Sequence, residues 1–143
     1  MQDYPLFDSM PLLQSIINFA TYFGISVAFL LLFKFLYALF TPHDEWLLIK
    51  EQQNTAAAIG FGGAVLGFAI ALAGAASNSV SLIDFATWGG VALVAQLLAF
   101  AVVRFIFMPR IVERIQQGEI SAAVILASTS IAFGTLNAAC MSY

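Results

Sequence analysis

A few polar side chains inside long apolar stretches are the groups best placed to do chemistry in this chain. They are Gln96, Ser128, Thr129 and Ser130. All four lie at similar distances from the same end of their stretches, so they share one depth. Polar groups at membrane depth either hydrogen-bond between helices or line a polar path. We therefore expect these four residues to form one polar layer, either as an interhelical clamp or as part of a path.

Lys34 is the most deeply placed cation. It precedes Pro42 by eight residues, which is about 12 Å along a helix. One interpretation is that its long stem lets the ammonium group reach the inner headgroups. The alternative is that Lys34 faces an aqueous cavity at the inner mouth, where it attracts anions or pairs with Glu45 or Glu51. Arg104 lies nearer the end of its stretch, and we expect it to reach the headgroups.

Small residues recur every four positions in two of the apolar stretches. Gly63, Gly67 and Ala71 form such a stripe in the second stretch, and Ser130 and Gly134 follow the same spacing in the fourth. A stripe of small residues lets another helix backbone approach closely. We expect these glycines and Ala71 to pack helices tightly, with a small-residue pore lining as the alternative.

Catalytic patterns find little support in the sequence. The chain has one histidine, His43, and one cysteine, Cys140. It contains no Ser/His/Asp set, no glycine-rich phosphate loop and no paired metal motif, so we expect neither an enzyme nor a cofactor. It also lacks a stretch rich in lysine and arginine, which argues against nucleic-acid binding.

The elements that position these residues are membrane helices. Hydrophobic residues make up 62% of the 143 residues and charged residues 9%, whereas a soluble domain carries about 25% charge. A helix needs about 20 mostly apolar residues to cross a bilayer, and lipid offers no partner for unpaired backbone groups. We predict an all-α membrane protein with four transmembrane helices. Their ranges are 18–40, 55–76, 85–107 and 120–141.

Basic residues predict the orientation of these helices. All of them lie in or beside the first and third connections; they are Lys34, Lys50, Arg104, Arg110 and Arg114. By the positive-inside rule these two connections face the cytoplasm, and both termini face outside. We expect Trp46, Lys50, Arg110 and Arg114 to contact the inner leaflet or a cytoplasmic partner.

The chain contains an internal repeat. Phe-Ala-Thr-Tyr-Phe-Gly-Ile at 19–25 is similar to Phe-Ala-Thr-Trp-Gly-Gly-Val at 85–91, an offset of 66, and Thr-Ala-Ala at 55–57 matches Ser-Ala-Ala at 121–123. We predict an N-terminal periplasmic segment, 1–17, and two repeats of two helices. The repeats cover residues 18–83 and 84–143. Two helices return the chain to its starting side, so the repeats are parallel rather than inverted.

A proline and a short stretch rich in Gln and Glu follow the first span of each half. Residues 41–45 have the pattern of a helix start. We expect either a short helix lying on the inner leaflet or a simple extension of the span. If the stretch after Pro109 is a short helix on the leaflet, its apolar residues Ile111, Val112 and Ile115 face lipid.

Several phrases resemble the YjfL-like family of bacterial inner-membrane proteins. They are Thr-Pro-His-Asp-Glu-Trp at 41–46, Asn-Thr-Ala-Ala-Ala at 54–58, Ala-Ser-Asn-Ser-Val-Ser at 76–81, Trp-Gly-Gly at 88–90 and Asn-Ala-Ala-Cys-Met at 137–141. The resemblance covers nearly the whole chain. It implies a small four-span protein of the bacterial inner membrane with the same duplication. It also suggests a partner in an envelope-stress or polyamine-linked system, and it supplies no catalytic residues.

Two functions fit these features. The first is a homo-oligomer that forms a small-solute or ion pathway in the lipid bilayer. Because four helices are too few to enclose an aqueous path, several copies are needed. The alternative is a non-conducting membrane scaffold or accessory subunit. In that case residues 43–54 and 110–119 recruit a cytoplasmic partner of an envelope-stress system.

Overall fold

The computed structural model describes residues 5–40 and 45–141, and this part of the chain is helical, without a strand. The predicted all-helical fold is confirmed there. The elements are α1 (Pro5–Phe40), α2 (Glu45–Lys50), α3 (Thr55–Asn78), α4 (Leu82–Val102), a π-helical turn (Val103–Phe107), α5 (Ile111–Gln116) and α6 (Ile120–Cys140). The predicted helix start at 41–45 lies outside the described residues except for Glu45.

Within residues 5–40 and 45–141, four helices are long and apolar enough to cross a membrane, as predicted. They are Pro11–Phe40, Thr55–Asn78, Leu82–Phe107 and Ile120–Cys140. The main difference lies in α1, which begins at Pro5 rather than at residue 18 and so includes most of the predicted N-terminal segment. Polar side chains in this segment form hydrogen bonds with residues one helical turn away. For example, Gln14 Nε2 donates to Asn18 Oδ1 at 3.1 Å. Because these groups are satisfied inside the helix, they do not end it.

Helices α3 and α6 pack most closely, along their small-residue faces. A Cβ atom added to Gly63 would lie less than 3.0 Å from Ala127, and one added to Gly67 would lie equally close to the Ser130 carbonyl. Further along, Gly74 meets Ala138 in the same way. Because the numbering rises together along both helices, α3 and α6 run in the same direction.

Aromatic pairs place α1 against α3 and α4. The ring pairs are Tyr22–Phe85, Phe33–Phe68, Tyr37–Phe61 and Tyr37–Phe100. The closest is Phe33 stacked on Phe68, with centroids 4.8 Å apart. The numbering rises together along α1 and α4 and in opposite senses along α1 and α3. Helices α1 and α4 therefore run one way, and α3 and α6 run the other.

The two connections that carry α2 and α5 meet at one end of the bundle, which we call the α2/α5 end. Both connections contain a short helix, as one of the two sequence interpretations predicts. Ile111 and Ile115, however, are buried, so the expectation that they face lipid is wrong. A Cβ atom added to Gly60 would lie 3.6 Å from Ile115 Cδ1. The apolar side of α5 therefore packs against the bundle and covers the beginning of α3, near Gly60.

Candidate functional site

The polar centre of the bundle joins three helices. Gln96 of α4 donates from Nε2 to the backbone carbonyl of Ser130 in α6 at 2.7 Å, and both residues are buried. A Cβ atom added to Gly67 of α3 would lie 2.6 Å from the same Nε2 atom. The Gln96 side chain therefore fits against α6 only because α3 has a glycine at this level.

The structure brings together two of the four residues expected in the polar layer. Ser128 is exposed on the surface of α6, and Thr129 is half-buried. Successive residues of an α-helix are rotated by about 100°, so Ser128 points far from the direction of Ser130. Gln96 also uses the Ser130 carbonyl rather than a hydroxyl group. The shared depth was therefore a poor guide to which side chains meet.

The oxygen atom of the Gln96 side-chain amide, Oε1, has no hydrogen-bond partner among the described residues. This atom is buried, and the side chain is 2% exposed. Turning the amide over would place this oxygen beside the Ser130 carbonyl, where two acceptors would repel each other. An unpaired buried acceptor costs about 1–3 kcal/mol. Chemically, Oε1 offers an acceptor for a water molecule or a small donor solute.

The predicted stripe of small residues lies in the interface between α3 and α6 of the same chain. Gly63 and Gly67 are buried against α6, Gly134 would place a Cβ atom less than 3.0 Å from the Gly67 carbonyl, and Ala71 is also buried. Helix α6 therefore covers this face within a single chain. The arrangement has the geometry of helix packing, and the face lines a path only if α3 and α6 separate.

Lys34 and Lys50 both lie over the ring of Trp46, which like Lys50 was expected to contact the leaflet or a partner. Lys34 Nζ is 4.4 Å from the centroid of the Trp46 ring, and Lys50 Nζ is 5.9 Å from the same centroid. Both distances are within the range of a cation–π interaction. Lys34 and Trp46 are exposed. The expected cation at the inner mouth and the expected contact residues of the first connection thus form one cluster.

The π-helical turn directs Arg104 toward α1. The Met108 amide donates to the Val103 carbonyl at 2.8 Å, five residues back, which defines the widened turn. Arg104 donates from Nη1 to the Phe40 carbonyl at the last residue of α1. A cation is favourable there because the carbonyl end of a helix is partly negative. Arg104 was expected only to reach the headgroups, and no sequence signal marks the π-helical turn.

Arg114 has a partner in its own chain. It donates from Nε to Glu119 Oε2 at 2.6 Å and from Nη2 to Oε1 of the same carboxylate, which also accepts from Ser121 Oγ at 2.9 Å. The Arg114 bonds, then the Ser121 bond, hold the pKa of Glu119 below its ordinary value of 4.5. The same carboxylate raises the pKa of Arg114. Arg110 is exposed.

Two polar clefts open at the α2/α5 end. The larger, about 620 Å³, has Arg110, Glu113 and the Arg114–Glu119 pair in its lining. The second, about 340 Å³, is lined by residues of both connections: Gln52, Gln53, Asn54, Thr55, Gln116, Gln117, Gly118 and Ile120. Sequence reasoning did not single out the glutamines, although two adjacent glutamines occur in each connection.

Asn54 joins the two connections. Its Oδ1 atom accepts from the Ala57 amide at 3.0 Å, which caps α3. Its Nδ2 atom donates to the carbonyls of Ile115 at 2.9 Å and Gln116 at 3.3 Å, at the end of α5. One side chain thus satisfies the start of α3 and the end of α5. Among residues 5–40 and 45–141, no group of three His, Cys, Asp or Glu side chains is arranged to hold a metal ion.

Comparisons with known proteins agree with the family resemblance. A family model described as Domain of Unknown Function (DUF350) matches residues 11–141. The UPF0719 inner membrane protein YjfL of Escherichia coli strain K12 is 46% identical over 134 residues, which cover 94% of this chain and 100% of that protein. The protein of the same name from Escherichia coli O157:H7 gives the same values. No solved structure matches this chain.

Proposed function

The chain belongs to the DUF350 family and is an integral, multi-pass inner membrane protein, and from this premise we propose that it is a non-conducting accessory subunit that holds a cytoplasmic partner protein at the membrane. One observation carries the proposal. The two connections are tied by the Asn54 bonds into a single polar face at the α2/α5 end. A face that is ordered before binding loses little conformational freedom when a partner docks.

The proposal includes the orientation and the repeat. The α2/α5 end lies in the cytoplasm and both termini lie in the periplasm, because all five basic residues of the chain are near that end. The halves are two parallel two-helix repeats. Two features support this: α1 and α4 run one way while α3 and α6 run the other, and a left-handed residue, Gln53 or Gly118, ends the short helix region of each connection.

Arg110 is the side chain best suited to meet a partner. It lines the larger cleft, is exposed and forms no ion pair within the described part of the chain. Arg114 is less suitable, because reversing its charge would also break its pair with Glu119. We expect an acidic side chain of a soluble partner, from the envelope-stress or polyamine-linked system that the family resemblance suggests, to reach Arg110. The role requires no catalysis, so we propose a protein that is not an enzyme.

Site-specific crosslinking in cells tests the proposal. A photoreactive amino acid at Gln117, which lines both clefts, should give a discrete crosslinked protein band. Arg110→Glu in the same chain should remove that band without changing the amount or the size of the membrane assembly. The matched control places the photoreactive amino acid at Val80, which is 84% exposed at the opposite end of the bundle. Bands at Gln117 that persist with Arg110→Glu would reject the proposal.

The second candidate is a homo-oligomer that conducts a small solute or ion. The unpaired Oε1 atom of Gln96 favours it, since a buried acceptor can receive a passing donor. Gln96 is buried within the single chain, so the path of the oligomer would reach it only if α3, α4 and α6 separate. Gln96→Ala should change flux into proteoliposomes while leaving the assembly intact. Equal flux through the unchanged protein and the Gln96→Ala variant would argue strongly against this candidate.

A further inference from the structure

We propose that Lys34, Trp46 and Lys50 form a binding site for the headgroup of an anionic phospholipid in the leaflet at the α2/α5 end. The site is separate from the proposed partner-binding face and does not depend on it. Lys34 comes from the transmembrane helix α1, and the other two residues come from α2. The lipid would thus bind where a spanning helix meets the first connection.

The cluster concentrates positive charge on one aromatic ring. The ammonium groups lie 4.4 and 5.9 Å from the Trp46 ring centroid, and the sum of these distances, 10.3 Å, is the upper limit on their separation. Among the carboxylates of residues 46–141, none lies within ion-pair distance of either group. Two ammonium groups repel each other at this range, so a phosphate group between them would lower the energy of both.

The position of the cluster matches the headgroup level. Lys34 lies six residues before Phe40, the last residue of α1, which is about 9 Å along the helix. Its stem therefore leads from the apolar region toward Trp46, and tryptophan is itself enriched at this level of the bilayer. Exposed apolar side chains precede Lys34 on α1, on the side of the cluster away from the headgroups, with Leu31 64% exposed. They provide a surface for the acyl chains of the same lipid.

The charge also selects the type of lipid. The phosphate of phosphatidylglycerol carries an uncompensated negative charge, whereas the choline group of phosphatidylcholine brings a positive charge to the same place. We therefore expect the cluster to prefer the anionic lipid. Each lysine near the surface should contribute about fivefold to that preference.

Quenching of Trp46 fluorescence measures the preference at the site itself. The chain has two tryptophans, so Trp88→Phe leaves Trp46 as the only reporter. This protein is reconstituted in phosphatidylcholine vesicles that contain brominated phosphatidylglycerol, and in vesicles that contain brominated phosphatidylcholine. Brominated phosphatidylglycerol should quench Trp46 at a clearly lower mole fraction. Lys34→Gln and Lys50→Gln should each reduce the preference about fivefold, and the double variant should abolish it.

Control variants separate a site from general surface attraction. Arg110→Gln removes an exposed cation at the same end and should leave the preference unchanged. Lys34→Arg keeps the charge and should keep most of the preference, which also tests whether Lys34→Gln acts through misfolding. Equal quenching by the two brominated lipids would overturn the proposal, as would an Arg110→Gln effect as large as that of the lysines. Loss of the preference in millimolar inorganic phosphate would instead indicate a site for soluble anions.

Discussion

Gly67→Ala should destabilise the bundle, because the new methyl group has no room. Its Cβ atom would lie less than 3.0 Å from the Ser130 carbonyl and from Gln96 Nε2. The Ser130 contact is backbone, which cannot rotate away, so α3 and α6 must move apart. Overpacking of this kind costs about 1–3 kcal/mol. The Gln96–Ser130 hydrogen bond adds about 0.6 kcal/mol if it breaks, so we expect the clash to cost about 1.5–3.5 kcal/mol in total.

Gly62→Ala is the matched control on the same helix. Nothing lies within 4 Å of a Cβ atom added at Gly62. Both variants gain the same helix propensity from alanine, so the difference between them isolates the clash. The free energy of unfolding would be measured for both by titrating the detergent-solubilised protein with SDS. If Gly67→Ala were as stable as Gly62→Ala, the close α3–α6 contact would be refuted.

Three further perturbations test the α2/α5 end. Asn54→Ala should cost about 1–2 kcal/mol of unfolding free energy, because it removes a helix cap and the hydrogen bonds to α5. Asn78→Ala is the control, since the Asn78 amide donates within its own helix, to the Gly74 carbonyl. It should cost clearly less in the same SDS titration. Gly118→Ala should cost about 1–2 kcal/mol, since Gly118 has φ of +83°; an unchanged unfolding midpoint would contradict this. Because the folded-state pKa of Glu119 is lowered, its pairing stabilises the chain above pH 4.5 and is lost as the pH falls through the lowered pKa. Melting temperatures from pH 7 to pH 3 should therefore fall less for Glu119→Gln than for the unchanged chain, and parallel curves would contradict the pairing.

The sequence predicted the spans well because the membrane imposes a strict rule on them. Backbone groups must be paired inside lipid, so about 20 apolar residues in a row must form a helix. The start of α1 was misjudged for a related reason: its polar residues bond within the helix, as Gln14 and Asn18 do. The ends of an element depend on such local bonds, which hydropathy does not report.

The candidate site was predicted less well, as the contrast between Gln96 and Lys34 illustrates. Gln96 was singled out as a polar group at membrane depth; it is buried, and its partner is the backbone of Ser130 rather than a row of hydroxyl groups. Lys34 was singled out as a deep cation, yet its neighbour is an aromatic ring on α2. In both cases residue type and depth identified the group, and the partner came from a different helix.

The sequence by itself determined that this is an inner membrane protein of a known family, with four candidate spans among the residues that the structure describes. Hydropathy and short sequence motifs are properties of consecutive residues, so they can be read without a structure. Only the tertiary structure decided which faces meet, such as Gly67 with Ser130 and Arg104 with the end of α1. The physical reason lies in the solvent. Lipid is as apolar as leucine, so an apolar helix face has nearly the same energy against lipid as against another helix. Close backbone approach and a few polar bonds then set the rotation of each helix, and these depend on residues far apart in the chain.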